Sequence, residues 1–366
     1  MANIFDIAKV ARVSTSTVSL AMRNSEKINE TTRLRVQAVA AKLNYRPSHI
    51  ARSLVSKKTN AIGVILPSSF DPIYIETNAF IEKEAFRRGY EVYVSFIDED
   101  PLRERRFLEK IYEQQVDGLI IMPAYPDANR DYYLGLAEAQ VPVVIRDDLG
   151  WLPTIDSVSI DMEKGGYEAT RHLLELGHRR IAYVQNEFAM GHKFGRRMGY
   201  RRALQEHGIA YDETLVATHG IHLEDGYRAA RTFLAMKEKP TAIFMQCDFQ
   251  AIAAFSAIRE AGLKVPEDIS LVGFGDINFA PYLEAPLTTV SQSKEKTASA
   301  LVETLINRME NKDAEPKHIV IEPELVVRKS SGLCGVNNAF GFDRVPEAFR
   351  AKDKGGGETI GVRVTM

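Results

Sequence analysis

Asp6-Ile-Ala-Lys-Val-Ala-Arg-Val-Ser14-Thr-Ser-Thr17-Val-Ser19 is the stretch that decides the fold of the N-terminal segment. Its apolar residues keep a helical period up to Ala11, and Val13 marks a short break before a second apolar stripe. Ser14 is a natural N-cap, because its side-chain oxygen can accept a hydrogen bond from an orphan amide of the second helix. A third helix is predicted from about 30 to 43, with a buried stripe of Leu34, Val36, Val39, Ala40 and Leu43. Three short helices with a tight break between the first two predict a helix-turn-helix.

The charge of the chain is unevenly distributed. The formal net charge is -2, but residues 1–60 hold eleven Lys and Arg against three Asp and Glu, a net of +8, and the rest of the chain carries -10. A small cationic module of this kind is typical of proteins that bind a polyanion such as DNA. On charge alone, a basic surface without a partner is the alternative.

Length and composition exclude several classes of protein. A chain of 366 residues with 45% hydrophobic and 26% charged residues is expected to form two or three soluble folded units. Cys247 and Cys334 form no CxxC motif, and a reducing compartment suits them. The N-terminus lacks the layout of a signal peptide, and the apolar stretches are far shorter than a membrane span. We therefore expect a cytoplasmic protein without a membrane partner.

From residue 61 onward, short apolar runs alternate with amphipathic helices as far as about 274. This alternation predicts buried parallel strands with helices on both faces of the sheet. The number of predicted strands is larger than one open sheet usually holds, so the α/β fold is expected to consist of two doubly wound lobes. Ligands in such folds bind at the carboxyl ends of the strands.

Enzyme signatures are absent from the sequence. Gly273-Phe-Gly275-Asp-Ile-Asn278 lacks the third glycine of a dinucleotide fingerprint, and no phosphate loop, HExxH or GxSxG motif occurs. His219 and His222 lie three residues apart, but no third metal ligand is evident. We therefore predict no cofactor and no metal.

The helix-turn-helix stretch resembles the head of regulators of the lac repressor/galactose repressor family. The resemblance covers about residues 3–331. It continues in Thr31-Thr-Arg-Leu-Arg-Val, Leu43-Asn-Tyr-Arg-Pro47, Ala51-Arg-Ser-Leu54, Arg196-Arg-Met-Gly-Tyr, Gly262-Leu-Lys-Val-Pro-Glu-Asp-Ile-Ser-Leu-Val-Gly-Phe274 and Leu287-Thr-Thr-Val-Ser-Gln292. A further long match runs from Asp161 through His178 to Tyr183.

The resemblance implies a fold and a set of domain boundaries. A helix-turn-helix head (1–46) is followed by a hinge helix and linker (47–60). The core (61–331) has two doubly wound parallel-sheet lobes like those of periplasmic sugar-binding proteins, and it binds the effector and forms the dimer. The chain is expected to cross between the lobes near 160, 290 and 322. The tail (332–366) has no counterpart in the family, and we expect it to be mobile.

DNA contacts are expected from the second helix and the hinge. A helix in the major groove turns its first residues to base edges, and hydroxyl groups beside them reach phosphates. The residues expected at base edges are Thr15, Ser16 and Leu20, and those expected at phosphates are Ser14, Thr17 and Ser19. Arg52 and Leu54 are assigned to the hinge. The resemblance implies that Leu54 wedges between base pairs in the minor groove, and packing of Leu54 on the neighbouring hinge or core is the alternative.

Two arginines depart from the family pattern in the head. Arg12 stands where the family favours Gly or Asn, at a turn where φ is expected to be positive. Arg23 replaces a usual Asn. Each can add a phosphate contact.

The resemblance also implies an effector site. The residues at matching or neighbouring cleft positions are Phe70, Asp71, Asp147, Arg196, Asp248, Asp276 and Gln292. Arg196 is implied to form two hydrogen bonds to ligand hydroxyls or a carboxylate, and a surface or ion-paired arginine is the alternative. Gly275, Cys247 and Ile221 stand where the family has a ligand-binding Asp, an Asn and an aromatic residue. These departures argue against an unmodified sugar.

Together the observations predict a cytoplasmic, homodimeric regulator of transcription that is not an enzyme. Two heads would meet the half-sites of a double-stranded operator. A small-molecule effector, a carbohydrate or related metabolite, would control the affinity for the operator by binding one lobe arrangement better than the other. A cytosolic solute-binding module without regulatory output, or an α/β enzyme acting on small polar molecules, are the alternatives.

Overall fold

The computed structural model describes residues 2–45, 58–98, 100–111, 116–186, 195–335 and 363–364. The chain forms two compact units. The head unit comprises residues 1–61 with 115–117, and the core unit comprises residues 62–114 with 118–366. The predicted hinge, with Arg52 and Leu54, lies outside the described residues.

Three helices form in the head unit, as the sequence predicts. They are α1 (Ile4–Ala11), α2 (Thr15–Met22) and α3 (Glu30–Lys42). Ser14 is the predicted N-cap of α2, and its Oγ accepts from the amide of Thr17 at 3.1 Å. Ile7, Val18 and Val36 are fully buried and form the centre of the small core. Leu34, expected in that core, is instead 57% exposed, because α3 turns Val36 and Ala40 inward.

Arg12 occupies the predicted left-handed position. It is the C-cap of α1 with φ 52° and ψ 50°, and its amide donates to the carbonyl of Lys9. Gly or Asn adopts this conformation with less strain than a longer side chain. The expectation of a positive φ at this turn is confirmed.

The core unit alternates strands and helices, as predicted from the apolar runs. Its helices are α4 (Pro72–Arg87), α5 (Pro101–Ile111), α6 (Arg130–Glu138), α7 (Met162–Glu175), α8 (Gly195–Glu206), α9 (Leu223–Leu234), α10 (Asp248–Glu260) and α11 (Lys294–Glu310). Its strands, the first starting at the boundary with the head unit, are β1 (Ala61–Leu66), β2 (Glu91–Phe96), β3 (Gly118–Ile121), β4 (Val143–Ile145), β5 (Asp156–Ile160), β6 (Ile181–Asn186), β7 (Val216–His219), β8 (Ala242–Phe244), β9 (Ser270–Gly275), β10 (Thr288–Ser291), β11 (His318–Ile321), β12 (Glu324–Val327) and β13 (Arg363–Val364).

The strands form two sheets, one in each lobe. The first lobe has the strand order β11-β5-β4-β3-β1-β2, and the second has the order β13-β12-β10-β9-β8-β6-β7. Pairing between the central strands is parallel, whereas β12 runs antiparallel to β10. The chain therefore changes lobe after β5, after β10 and after β11, close to the predicted crossings near 160, 290 and 322.

The sequence did not predict α11 or the strands from β10 onward. Helix α11 buries Leu301, Val302 and Leu305 in the core of the first lobe, although it follows a strand of the second lobe. Strand β11 pairs in parallel with β5, from which it is separated by about half of the core. A strand of four residues carries too little local signal to reveal such a distant partner.

The ordered core extends beyond the predicted boundary at 331. The carbonyl of Gly332 lies 3.0 Å from His178 Nε2, and the amide of Cys334 donates to the carbonyl of Leu176 at 2.9 Å. Within the predicted tail, β13 pairs in parallel with β12. The expectation of a mobile tail otherwise concerns residues 336–362 and 365–366, which lie outside the described residues.

Two buried histidines bind this C-terminal segment. His172 Nε2 lies 2.9 Å from Ser331 Oγ, and His178 lies within hydrogen-bond distance of Thr241 and Ser270. Burial, with the nearby charges of His178 and Arg171 as smaller causes, lowers the pKa of His172 to about 4. Burial also lowers the pKa of His178. Both imidazoles are therefore neutral in the folded protein at physiological pH.

His172→Gln is expected to change how stability depends on pH. In the unfolded wild type, His172 is protonated below about pH 6.5, whereas in the folded protein it is protonated only below about pH 4. Lowering the pH between these values therefore favours the unfolded state and destabilises the wild type. The wild type should therefore lose about 2 kcal/mol relative to the variant between about pH 7.5 and pH 5. Urea unfolding of both proteins at several pH values measures the difference. A difference that does not change with pH would contradict the assignment.

Candidate functional sites

The surface of α2 carries the residues expected to meet DNA. Ser14 and Ser16 are exposed, and Thr15, Thr17, Ser19 and Leu20 are partly exposed. The hydroxyls of Ser14 and Thr17 lie 2.9 Å apart, and Arg23 Nη2 donates to Ser19 Oγ at 3.0 Å. Val18 is buried on the opposite side of the helix. One side of α2 thus presents hydroxyls and a guanidinium, which are suitable donors to phosphates and base edges.

A second polar cluster lies where strands of both lobes end. Asp71 is the N-cap of α4, and its carboxylate accepts from the amide of Ile73 at 3.1 Å. Burial raises the pKa of Asp71 to about 6, although Arg196 and Arg146 act in the opposite direction. Burial likewise raises the pKa of Tyr74 to about 12. Because Arg146 follows β4 and Arg196 lies on α8, charges from both lobes act on Asp71, and we call this space the cleft.

Arg196 is held by contacts within the second lobe. Its Nη1 donates to the carbonyl of Gln246, and the centre of its guanidinium lies 4.5 Å from the centroid of the Phe274 ring. Its Nε is buried and has no acceptor among the described residues. Arg196 forms no ion pair with any residue that the structure describes, and its contact with an effector stays a prediction.

Arg146 and Gln292 complete the cluster. Arg146 directly follows β4, and its Nη2 donates to Oε1 of Gln292, which follows β10 and is buried. Burial lowers the pKa of Arg146. Asp147 was predicted at the site from the sequence and Arg146 was missed, although the same position at the end of a strand points to both. Asp147 Oδ1 accepts from the amide of Asp148 at 2.9 Å.

Asp248 and Asp276 are occupied by contacts within the second lobe. Asp248 is fully buried, and its two oxygens accept from the hydroxyl of Thr289 at 2.5 Å and the amide of Ile277 at 2.9 Å. Burial raises the pKa of Asp248 to about 7. Asp276 accepts from Arg328 Nη2 at 2.6 Å. Both carboxylates thus stabilise the loop after β9, and their role towards an effector stays a prediction.

Gly275 explains why no aspartate stands at its position. Its φ of +142° is one that L side chains rarely adopt. A Cβ there would lie 3.4 Å from Asp248 Oδ2, which is an ordinary contact, so the backbone conformation is the constraint. An aspartate at position 275 would therefore strain this loop.

An aromatic contact joins loops of the two lobes. The ring of Phe70 stacks on that of His222, with ring centroids 4.4 Å apart and an interplanar angle of 30°. His222 follows Ile221, the residue that stands where the family has an aromatic ring. The sequence predicts no metal at His219 and His222 and gives no sign of this stacking. Among the described residues, no group of three or more His, Cys, Asp or Glu could hold a metal ion.

An ion pair within the first lobe, which was not predicted from the sequence, contacts a loop of the second lobe. Glu76 on α4 accepts from Lys294 Nζ at 2.5 Å, and both side chains are 11% exposed. The carboxylate of Glu76 also accepts from the amide of Asn278 in the second lobe, at 2.9 and 3.1 Å. Lys294 Nζ donates to the carbonyl of Asp276 at 2.6 Å. We call Glu76 and Lys294 the interlobe latch.

The chain matches two family models. Residues 3–48 match the bacterial regulatory proteins of the lacI family, and residues 170–331 match the periplasmic binding protein-like domain. The HTH-type transcriptional repressor PurR of Photobacterium profundum is 34% identical over 331 residues, which cover 90% of this chain and 98% of that protein. None of the described helices is long and apolar enough to cross a membrane.

Solved structures agree with these matches. The lac repressor dimer bound to operator and the anti-inducer ONPF has a TM-score of 0.81 at 26% identity, with 90% of this chain and 99% of that chain covered. The complex of the transcriptional regulator CelR with cellobiose has a TM-score of 0.69 at 29% identity, with 90% and 100% covered. The chain therefore belongs to the lacI family of bacterial regulatory proteins, and it is a DNA-binding transcriptional repressor rather than an enzyme.

Proposed function

We propose that this chain is a cytoplasmic, homodimeric repressor that binds an operator through α2 and releases or retains it according to an effector bound in the cleft. The observation that carries the DNA-binding part is the row of hydroxyl side chains on the exposed side of α2, within a segment of net charge +8. Positive charge supplies affinity for the phosphates, and the hydroxyls supply modest discrimination among bases.

The effector-binding part rests on the cleft between the two lobes of the core. Asp71, Arg146, Arg196 and Gln292 converge there at the ends of strands, the usual ligand position in doubly wound folds. The lac repressor and CelR structures hold ONPF and cellobiose in proteins of this fold. A ligand that binds one lobe arrangement better than the other shifts the balance between them, and with it the affinity for DNA.

Dimer formation is expected to cover apolar surface on the core. Phe279 is 57% exposed and Tyr282 is 85% exposed, and the two lie in one turn of the second lobe. Large exposed aromatic residues of this kind mark protein contact surfaces, and we assign this one to a second copy of the chain. Two heads then meet the two half-sites of the operator, with Arg52 and Leu54 of each hinge at the minor groove.

Operator binding is expected to weaken steeply with salt. A duplex selected by the protein from a random pool serves as the operator, and fluorescence anisotropy measures its affinity. With six to ten phosphates neutralised by the dimer, affinity should fall by about 10³- to 10⁵-fold between about 50 and 200 mM salt.

A pair of matched variants tests which positive charges cause the salt dependence of operator binding. Arg23→Gln removes a cation from the exposed side of α2 and should reduce the salt slope, whereas Arg259→Gln, on α10 of the core and paired with the exposed Glu284, should leave it unchanged. Salt-independent binding would overturn the proposed function.

A further inference from the structure

Among the described residues, the side-chain hydrogen bonds of two guanidinium groups in the cleft go only to neutral oxygens. Arg146 donates to the side-chain carbonyl of Gln292, and Arg196 donates to the backbone carbonyl of Gln246. Within the described part of the chain, neither arginine forms an ion pair with a carboxylate. This arrangement is unusual, because partly buried arginines in proteins are normally matched to an anion.

Each guanidinium also retains an unused donor. The Nε atoms of Arg146 and Arg196 are buried and have no hydrogen-bond partner among the residues that the structure describes. Nε and an Nη of one guanidinium point in parallel, which is the geometry that matches two oxygens of a carboxylate or phosphate. A buried donor without an acceptor destabilises the protein. A ligand whose oxygens accept from these Nε atoms removes that penalty, so it gains more binding free energy than it would from a donor that already has an acceptor.

The two arginines lie close enough to influence the same groups. Both act on the titration of Asp71 and Tyr74, and the charge of Arg196 is among the causes that lower the pKa of Arg146, after burial. Two like charges that face one space repel each other, and a negative ligand between them removes that repulsion. The carboxyls of Asp71 and Asp147 also act on Arg146, but among the described residues neither forms an ion pair with one of the two guanidinium groups.

Hydrogen-bond acceptors for hydroxyl groups lie in the same region. The carboxylates of Asp71 and Asp147 follow β1 and β4, and each accepts one backbone amide. A carboxylate has further lone pairs, and sugar-like hydroxyls are natural donors to them. The cleft therefore combines cationic donors with carboxylate acceptors.

We propose that the effector is a small hydroxylated anion whose paired negative oxygens bind Nε and Nη of Arg146 and Arg196. This proposal rests on the proposed function, since it takes the cleft to be the effector site. The acid group is the determinant of recognition, and the hydroxyls bind Asp71 and Asp147. A sugar acid supplies such oxygens as a carboxylate, and a phosphorylated sugar supplies them as a phosphate.

The test compares ligands that share one carbon skeleton. Full-length protein is titrated by calorimetry with glucose, gluconate, glucuronate and glucose 6-phosphate, and with the corresponding galactose series. At least one anion of a series should bind more than about tenfold tighter than its neutral sugar, since charge-assisted bonds to both arginines are made only by the anion. A preference for carboxylate or for phosphate identifies the source of the negative oxygens. Neutral sugars that bind as tightly as the acids, or no binding by any anion, would overturn the proposal.

Variants test the two arginines directly. Arg146→Gln should weaken binding of the anion by about tenfold or more and leave the affinity for the neutral sugar nearly unchanged. Arg146→Lys keeps the charge but loses the paired donors, so its affinity for the anion should lie between those of the wild type and Arg146→Gln. Arg259→Gln, an exposed residue on α10, is the control. Equal losses for anion and sugar in Arg146→Gln would indicate a structural role and contradict the proposal.

The same samples separate this proposal from the proposed function. Affinity for the selected duplex is measured with and without each ligand. If a neutral ligand alters DNA binding as strongly as the anion does, the anion proposal fails and the regulatory function stands. If the anion binds with the expected selectivity but never alters DNA binding, the regulatory function fails and the chemistry of the site stands.

Discussion

Gly199→Ala is expected to lower the free energy of unfolding by about 3 kcal/mol or more. Gly199 on α8 lies against α7, and an added Cβ would lie 2.0 Å from the carbonyl oxygen of Glu163 and 2.4 Å from the amide nitrogen of Tyr167. Both obstacles are backbone atoms of a helix, so they cannot turn aside as a flexible side chain does. In a helix without such a clash, alanine is more favourable than glycine by about 1 kcal/mol. Any loss of stability in Gly199→Ala therefore comes from the close contact between α7 and α8.

Gly166 makes the reciprocal contact from α7. A Cβ there would lie 2.2 Å from the carbonyl oxygen of Arg196 and 2.7 Å from its Cα. Gly166→Ala should therefore destabilise the core to a similar extent and also displace Arg196 in the cleft, weakening effector binding in the folded fraction. Urea unfolding followed by circular dichroism measures the first effect, and calorimetry measures the second.

Gly165→Ala, at the neighbouring position, is the matched comparison. Its Cβ would meet the ring of Phe274 at 2.7 Å, which is a side chain rather than backbone. Phe274 is buried and its ring contacts the Arg196 guanidinium, so Gly165→Ala should also lower stability, but by less than a clash with helix backbone. If Gly166→Ala and Gly199→Ala are as stable as the wild type, the close packing of α7 on α8 is wrong.

Glu76→Gln is expected to cost about 3–5 kcal/mol in stability, because it leaves the Lys294 ammonium nearly buried without its counter-charge. The change also weakens the acceptor for the amide of Asn278, which lies in the other lobe. Loss of the latch should therefore shift the balance between lobe arrangements. Small-angle scattering of the folded variant should show a larger radius of gyration than the wild type.

A double variant separates the interaction between Glu76 and Lys294 from the contacts that each makes with other residues. Glu76→Gln with Lys294→Gln removes both charges and should recover part of the stability lost in Glu76→Gln alone, since no uncompensated charge remains. Glu284→Gln, which removes the exposed partner of Arg259, should leave stability nearly unchanged. Additive losses in the double variant would show that the two side chains do not act as a pair. An unchanged radius of gyration in Glu76→Gln would show that the latch does not hold the lobes together.

The head shows how much local sequence determines. The period of Ile7, Ala8 and Ala11, the cap at Ser14 and the positive φ at Arg12 were all predicted, because each depends on residues within about four positions. The excess of basic residues over acidic ones before residue 60 needs no structure at all. Leu34 was placed wrongly, because its exposure depends on which side of α3 meets the other two helices.

The core shows where local sequence stops. The alternation of strands and helices predicted two lobes, the family resemblance implied Asp71 and Arg196 as site residues, and a general rule places ligands at the ends of strands. That rule could not rank Arg146 above Asp147, nor show that Asp248 is fully buried and bound to Thr289.

Sequence by itself determined the helix-turn-helix, the α/β class and the family, because periodicity, capping and motif order are properties of short stretches. Tertiary structure alone decided the cleft chemistry. Arg146 meets Gln292 across 146 positions, and Glu76 meets Lys294 across 218. Such pairs depend on the three crossings between the lobes, which bring distant segments of the chain together. A periodic pattern indicates which side of an element is buried, but the distant segment that covers it is settled only when the whole chain packs.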